Sequence, residues 1–456
     1  MSIVLFKFAL MKKNRKQTRM CSKMLLISTV VLLFCGNARA QISQHWIGNV
    51  PDDYKTIVRS YGNNGAVTFF WDYYNAHLKT VEFTLGTTNH AVMPDGFNIK
   101  DMVVDGNILY FCGTTADIHH AEWAGVGIVG YIDLNLFNNY TTLDINYIRV
   151  PQIHNLNKLA EYDDNGQRHV VAIGEYQSHG GGYSYSQFFF FNCDDIMQST
   201  VYYDLALLDT DERPWNVVLT DQYVVCFGYH ADTSVNSIYF RKTYKYNIFS
   251  PEFDTIHYYT PGNDAYSRTH TIALEKDTIV TAYFYVDNQP CTRIRTIDAA
   301  TGVITHAQQF FITDKNEPID LVYSPTERMG VVMEDFYWGG QTNSNFVYFD
   351  PRATTGYTAT LEYLPDSLFW SMDLLDGKFY LAADGAEWFY KSMATPPTGS
   401  PDPKCPEELD IDIDPIETLK PSKLERVPVV RSFSEIMINV TDVSNPSNAT
   451  LNCENN

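Results

Sequence analysis

Beyond the first 40 residues, no segment approaches the ~18 consecutive apolar residues of a membrane-spanning helix. There is no C-x-x-C pair, which removes zinc-ribbon and thioredoxin-like chemistry. H-E-x-x-H, Gly-rich phosphate loops and the G-x-S-x-G nucleophile elbow are missing as well, so no motif assigns a reaction. No run of 3.6-residue periodicity is long enough to pack as a helix between strands. Basic residues are scarce where it matters. Eight of the 33 Lys and Arg lie in the first 40 residues, which hold no acid, leaving 25 against 54 Asp and Glu and a formal charge of −29. Such a surface repels phosphate backbones and anionic lipid, excluding nucleic-acid partners and membrane-surface attachment.

What is present begins with an export signal. Met24 to Cys35 is an apolar run of 12 residues, preceded by a basic segment and followed by Ala38-Arg39-Ala40, the pattern of a signal peptide cleaved after Ala40. Phe34 stands where a lipoprotein signal needs a small residue. The expected location is secreted, periplasmic or cell surface, without membrane insertion.

The remainder repeats. Strands ending in Asp or Asn before a polar turn finish at Asp72, Asp133, Asn192, Asn247, Asp298 and Asp350, at intervals of 51 to 61 residues. Between them recur tight hairpins such as IKDMVVDGNILYFCG from Ile99 and WSMDLLDGKFYLAADG from Trp370. Asp-Gly and Asn-Gly supply the positive φ angles of two-residue hairpins, and Val, Ile, Tyr and Phe flank them at period two. Each unit reads as four antiparallel strands, A to D, which predicts an all-β β-propeller. In the first unit YKTIVRSY, AVTFFWDY and HLKTVEFTL read as strands B, C and D. If QISQHWIGN lends a strand to the last unit the ring has seven blades; merging the partial end units gives six. The expected division is signal peptide 1–40, propeller 41–393, Pro-rich linker 394–404 and a small C-terminal β segment 405–456.

RTIDAATGVITHAQ, from Arg295, carries D-x-x-T-G and resembles the turn of quinoprotein propeller repeats, but their tryptophan docking pattern does not recur. The residues themselves predict a structural turn, with Asp298 accepting from turn amides and Gly302 at positive φ. Asp-box, kelch, WD40 and YWTD signatures are missing. As a whole the chain resembles exported bacterial β-propellers of no specific family.

Of the six cysteines after the signal, Cys112 and Cys226 occupy matching strand positions two blades apart, too far for a disulfide, and are expected as buried thiols. Cys193 and Cys291 fall at opposite strand ends. Cys405 and Cys453 bracket the C-terminal segment and are candidates for a disulfide. Topology places the B–C loops and D–A crossovers at one end of the ring. Variable loops on a rigid scaffold are where function concentrates, which makes this loop end the candidate binding face. Its candidate residues are His119, His120, Trp123, His179, Tyr183, Tyr229, His230, Asp232, Glu334, Asp335 and Trp338. No metal and no cofactor is called for. The function expected is noncatalytic binding of a glycan, peptide or protein partner. A polysaccharide-active hydrolase or lyase with axial carboxylates is the alternative, and a structural module of a surface assembly a third.

Overall fold

A computed structural model describes residues 43–46 and 56–392, apart from several connecting segments, and strands within 404–442. Residues 1–40, where a signal peptide is expected, and Cys453 lie outside the described residues.

Among the described residues the strands form seven four-stranded antiparallel units. Blade 1 comprises Ile57–Tyr61, Gly65–Trp71, Ala76–Glu82 and Thr87–Val92, and blade 2 comprises Asn98–Asp105, Ile108–Thr115, Val126–Asp133 and Thr142–Val150. Blade 3 runs from Asn155–Asp164 to Thr200–Asp204, blade 4 from Asp211–Leu219 to Phe253–Tyr259, blade 5 from His270–Leu274 to Ile304–Phe311, and blade 6 from Asn316–Ser324 to Thr360–Leu364. Blade 7 takes Phe369–Leu375, Lys378–Ala383 and Glu387–Ser392 from the end of the repeat and Ser43–Trp46 from its beginning. That N-terminal strand pairs antiparallel with Glu387–Tyr390, so the two ends of the repeat share one sheet. The A strands touch in sequence, and the A strand of blade 7 touches that of blade 1. The ring is closed. The fold is a β-propeller.

The central parts of the B strands of blades 2 to 4 are apolar on both faces because both are covered by neighbouring blades, the condition that gives continuous hydrophobic runs. Leu109 to Cys112, Val170 to Ile173 and Val224 to Phe227 are accordingly buried. Alternate residues of one strand enter different cores: Tyr110 and Cys112 pack with Leu159 and Phe189 of blade 3, while Leu109 and Phe111 pack with Val67 and Phe69 of blade 1. Among the described residues one α-helix, Leu134–Asn139, opens on Asp133, whose Oδ1 accepts from Asn135 N.

Blade 1 corrects the sequence register. Gly65–Trp71 pairs on one side with Ile57–Tyr61 and on the other with Ala76–Glu82, which makes the FFWD strand B rather than C and YKTIVRSY strand A. Period-two alternation identifies a strand without giving its place in the sheet.

The hairpin of Asp298 is the C–D turn of blade 5. Asp298 Oδ1 accepts from Thr301 N and Oγ1, both at 2.8 Å, and Gly302 sits at φ 71° while its N–H donates to Asp298 O. This is a structural turn.

The C-terminal segment is laid along the outside of the ring. Lys404–Glu408 adds a fifth strand to blade 5, Thr418–Ser422 to blade 4 and Leu424–Val427 to blade 3. Ser432–Asp442 then pairs with the outer strands of both blade 2 and blade 1, joining them into one nine-stranded sheet. This belt runs backwards through the blades and covers outer edges that would otherwise present unpaired N–H and C=O groups.

Candidate functional site at the loop end of the axis

An innermost strand has one edge without a neighbouring strand, and its buried N–H groups need partners. The starts of five A strands, at the loop end, show how several are supplied. Register shifts lie between Ile99 and Asp101, Leu156 and Lys158, Pro214 and Asn216, Pro318 and Asp320, and Phe369 and Ser371. Such bulges re-aim side chains and are frequent beside binding sites. The residue after each bulge is polar, and several reach the following blade. Asp101 Oδ2 accepts from Leu159 N at 3.2 Å, Asp320 Oδ2 from Met372 N at 2.9 Å, and Ser371 Oγ from Val58 N at 3.4 Å. Asn216 Nδ2 donates to Thr271 O.

Arg59 of blade 1 is the hub of this ring. Its guanidinium donates to Asp101 Oδ1 at 2.8 Å, Met102 O at 2.8 Å, Val58 O at 2.7 Å and Ser371 Oγ at 3.2 Å, tying blade 1 to blades 2 and 7. Burial opposes its charge, but Asp101, Asp373 and Asp320 outweigh burial and hold it above its ordinary range. Lys158 Nζ lies 3.8 Å from Asp101. Asp373 Oδ2 accepts from both the N–H and the hydroxyl of Ser60 at 2.6 Å.

Asp320 differs from the other two acids. Burial raises its carboxyl despite Arg59, Lys158 and two accepted N–H bonds. His270 Nδ1 is 4.0 Å away, beyond a hydrogen bond but within ion-pair range when the ring is protonated.

Half-buried aromatics stand among these groups. Trp215 and Trp370 occupy the bulges of blades 4 and 7 and belong to the aromatic residues that sequence reasoning did not select. The available signals were tryptophan opening an A strand in WNVV and WSMD, and glycine within the partnering B strand at Gly113 and Gly174. A Cβ at either glycine would overlap the carbonyl of Asn98 or Asn155 across the sheet, so glycine marks the close approach that a bulge creates.

Of the residues selected from sequence, His119, His120, Trp123, His179, Tyr183 and Asp232 lie outside the described residues. Tyr229 and His230, expected in a B–C loop, belong to the strand Tyr223–Ala231, paired to Ile238 and Ser237. Glu334, Asp335 and Trp338 likewise belong to the strand Met329–Trp338. Its register continues to Trp338 opposite Gln341, leaving only Gly339 and Gly340 between the strands. The supposed long loop is an extended hairpin with a two-residue connection. Cys112, Cys193 and Cys226 are buried; burial raises the Cys193 thiol to about 12. Cys405 lies in the first belt strand, and its pairing with Cys453 falls outside the described residues. Among the described residues no group of three or more His, Cys, Asp or Glu is arranged to hold a metal, and no helix is long and apolar enough to cross a membrane.

No family description and no curated protein matches the chain. Among solved structures it is similar to a catalytically inactive virginiamycin B lyase from Staphylococcus aureus with quinupristin, at 10% identity and TM-score 0.45, over 77% of this chain and 99% of that one. It is also similar to polysaccharide lyase Uly1, at 8% identity and TM-score 0.42, over 76% and 91% of the two chains. Raptor from Chaetomium thermophilum aligns at 9% identity and TM-score 0.39, over 77% of this chain and 29% of that one. At such identities and scores these likenesses assign no activity, and the fold rests on the sheet pairing itself.

Proposed function

We propose that this protein is an exported β-propeller that binds a glycan, peptide or protein partner at its loop end without catalysis. The observation that carries this reading is the use made of the axial acids. Asp101 is bound by Arg59 and Leu159 N, Asp373 by Ser60, and Asp320 by the N–H groups of Met372 and Leu321. A carboxylate whose lone pairs hold neighbouring backbone in place is a clasp, and clasping limits its freedom to exchange protons with a substrate. At the same end, the half-buried Trp215 and Trp370 stand at the bulges, amphipathic side chains of the kind suited to sugar rings or peptide side chains. The signal-like pattern of residues 24–40 supports export, and the acidic composition supports solubility.

A second reading has one observation in its favour. Asp320, with its raised carboxyl, and His270 form an acid–base couple at the same end of the axis, as cleavage of a polysaccharide would require. An array of glycans, polysaccharides and peptides, probed with the chain from Gln41 onward and read for both retention and released product, separates the two. Retention without product supports binding alone. Product that disappears in Asp320→Asn establishes the enzyme reading, and neither retention nor product on any surface overturns both.

A further inference from the structure

At the opposite end of the ring, the seam between blades 2 and 3 contains polar groups that neither the axial clasps nor the loop end use. Glu161 pairs in register with Val170, and Val170 packs in the core shared with blade 2, so Glu161 lies on the blade 3 face turned towards that blade. From blade 2 the seam receives Asp105 and Tyr110; Tyr110 has 0% exposure and belongs to the same core. Its hydroxyl has no hydrogen-bond partner among the described residues. From blade 3 come Asp163, Arg168 and Cys193, with Arg168 held 2.9 Å from Asp194, while the half-buried Lys245 of blade 4, over the Tyr162 ring on the other face of blade 3, acts on Glu161 through its charge alone.

An ionised Glu161 is therefore half-buried in the company of Asp105 and Asp163, and Arg168 is already engaged. We propose that the seam between blades 2 and 3 is a proton-operated joint with Glu161 as its sensor, tight when that carboxyl is neutral and loosened when it is ionised. Burial first, then Asp105 and Asp163, raise the Glu161 carboxyl to about 7 against the opposing pull of Arg168 and Lys245. The sign follows from linkage. Folding favours the protonated form, so the stabilisation is complete below the unfolded value near 4.3 and is lost as pH rises through about 7. With one proton involved, the local opening constant rises by at most about tenfold per pH unit across that window and levels off above it.

Hydrogen exchange of the intact chain between pH 5 and 8, corrected for intrinsic exchange rates, tests this at 98–115 and 155–177. The expected result is faster opening of these segments as pH rises, with the equivalent strands of blade 5 unaffected, and loss of the pH dependence in Glu161→Gln. Tyr110→Phe, which removes the unpartnered hydroxyl, should slow opening at every pH while keeping the dependence. A wild-type seam whose opening ignores pH, or a dependence that survives Glu161→Gln, would overturn the joint. Should Glu161→Gln not fold, the wild-type profile against Tyr110→Phe still decides: opening that ignores pH in both rejects it.

Discussion

Arg59 shows most directly how single residues hold the ring. Its donors reach the carboxylate or hydroxyl of two flanking blades and two backbone carbonyls. Arg59→Met would leave the 7% exposed Asp101 side chain, among the described residues, with Lys158 and the N–H of Leu159 as its remaining partners. Removing one partner of a buried pair costs about 3–5 kcal/mol. That loss should appear as a lower denaturant midpoint, partly recovered when Asp101→Asn is added. Gly174 makes a different demand: an alanine methyl there collides with Asn155 O across the sheet. Gly174→Ala should destabilise by about 1–3 kcal/mol, the usual cost of forcing extra volume into packed structure, with the blade 3 bulge shifted in a crystal structure. Asp298→Ala removes two turn hydrogen bonds and should cost about 1–2 kcal/mol by thermal unfolding.

At the scale of strands, legibility followed burial. B strands such as ILYFCG and YVVCFG were readable because both faces are covered and the apolar run is continuous. The turns before them were readable where residues such as Asn165 and Gly166 must adopt positive φ. What the sequence did not disclose was how far a hairpin extends: the stretch through Glu334 and Trp338 is polar enough to pass for a loop, yet its pairing continues to the Gly-Gly connection. The bulges were signalled only by isolated glycines within B strands. The belt was hidden for a related reason, since a strand added to an outer edge is recognised through backbone N–H and C=O groups that every sequence possesses. Deleting the belt from Lys404 onward uncovers the outer edges of blades 1 to 5. Edge-to-edge association should follow, seen by light scattering as a rise in aggregated mass that the complete chain does not show.

Across the whole molecule, two ends of one ring carry different chemistry. At the turn end, Glu161 destabilises the ring as pH rises through about 7. Asp194 works in the other direction: the N–H and guanidinium of Arg168 hold its carboxyl below its usual range, a contribution present above about 3.9 and lost as pH falls through its lower folded value. At the loop end, the inner strands carry the clasped acids and the bulge tryptophans. That end is where binding is proposed. The most direct test is hydrogen exchange of the protein with and without a ligand retained on the array. Protection should fall on the inner-strand starts, at 99–102, 156–159, 213–217 and 369–372. Protection confined to the opposite turns, at 105–108, 163–167 and 298–303, would contradict the account.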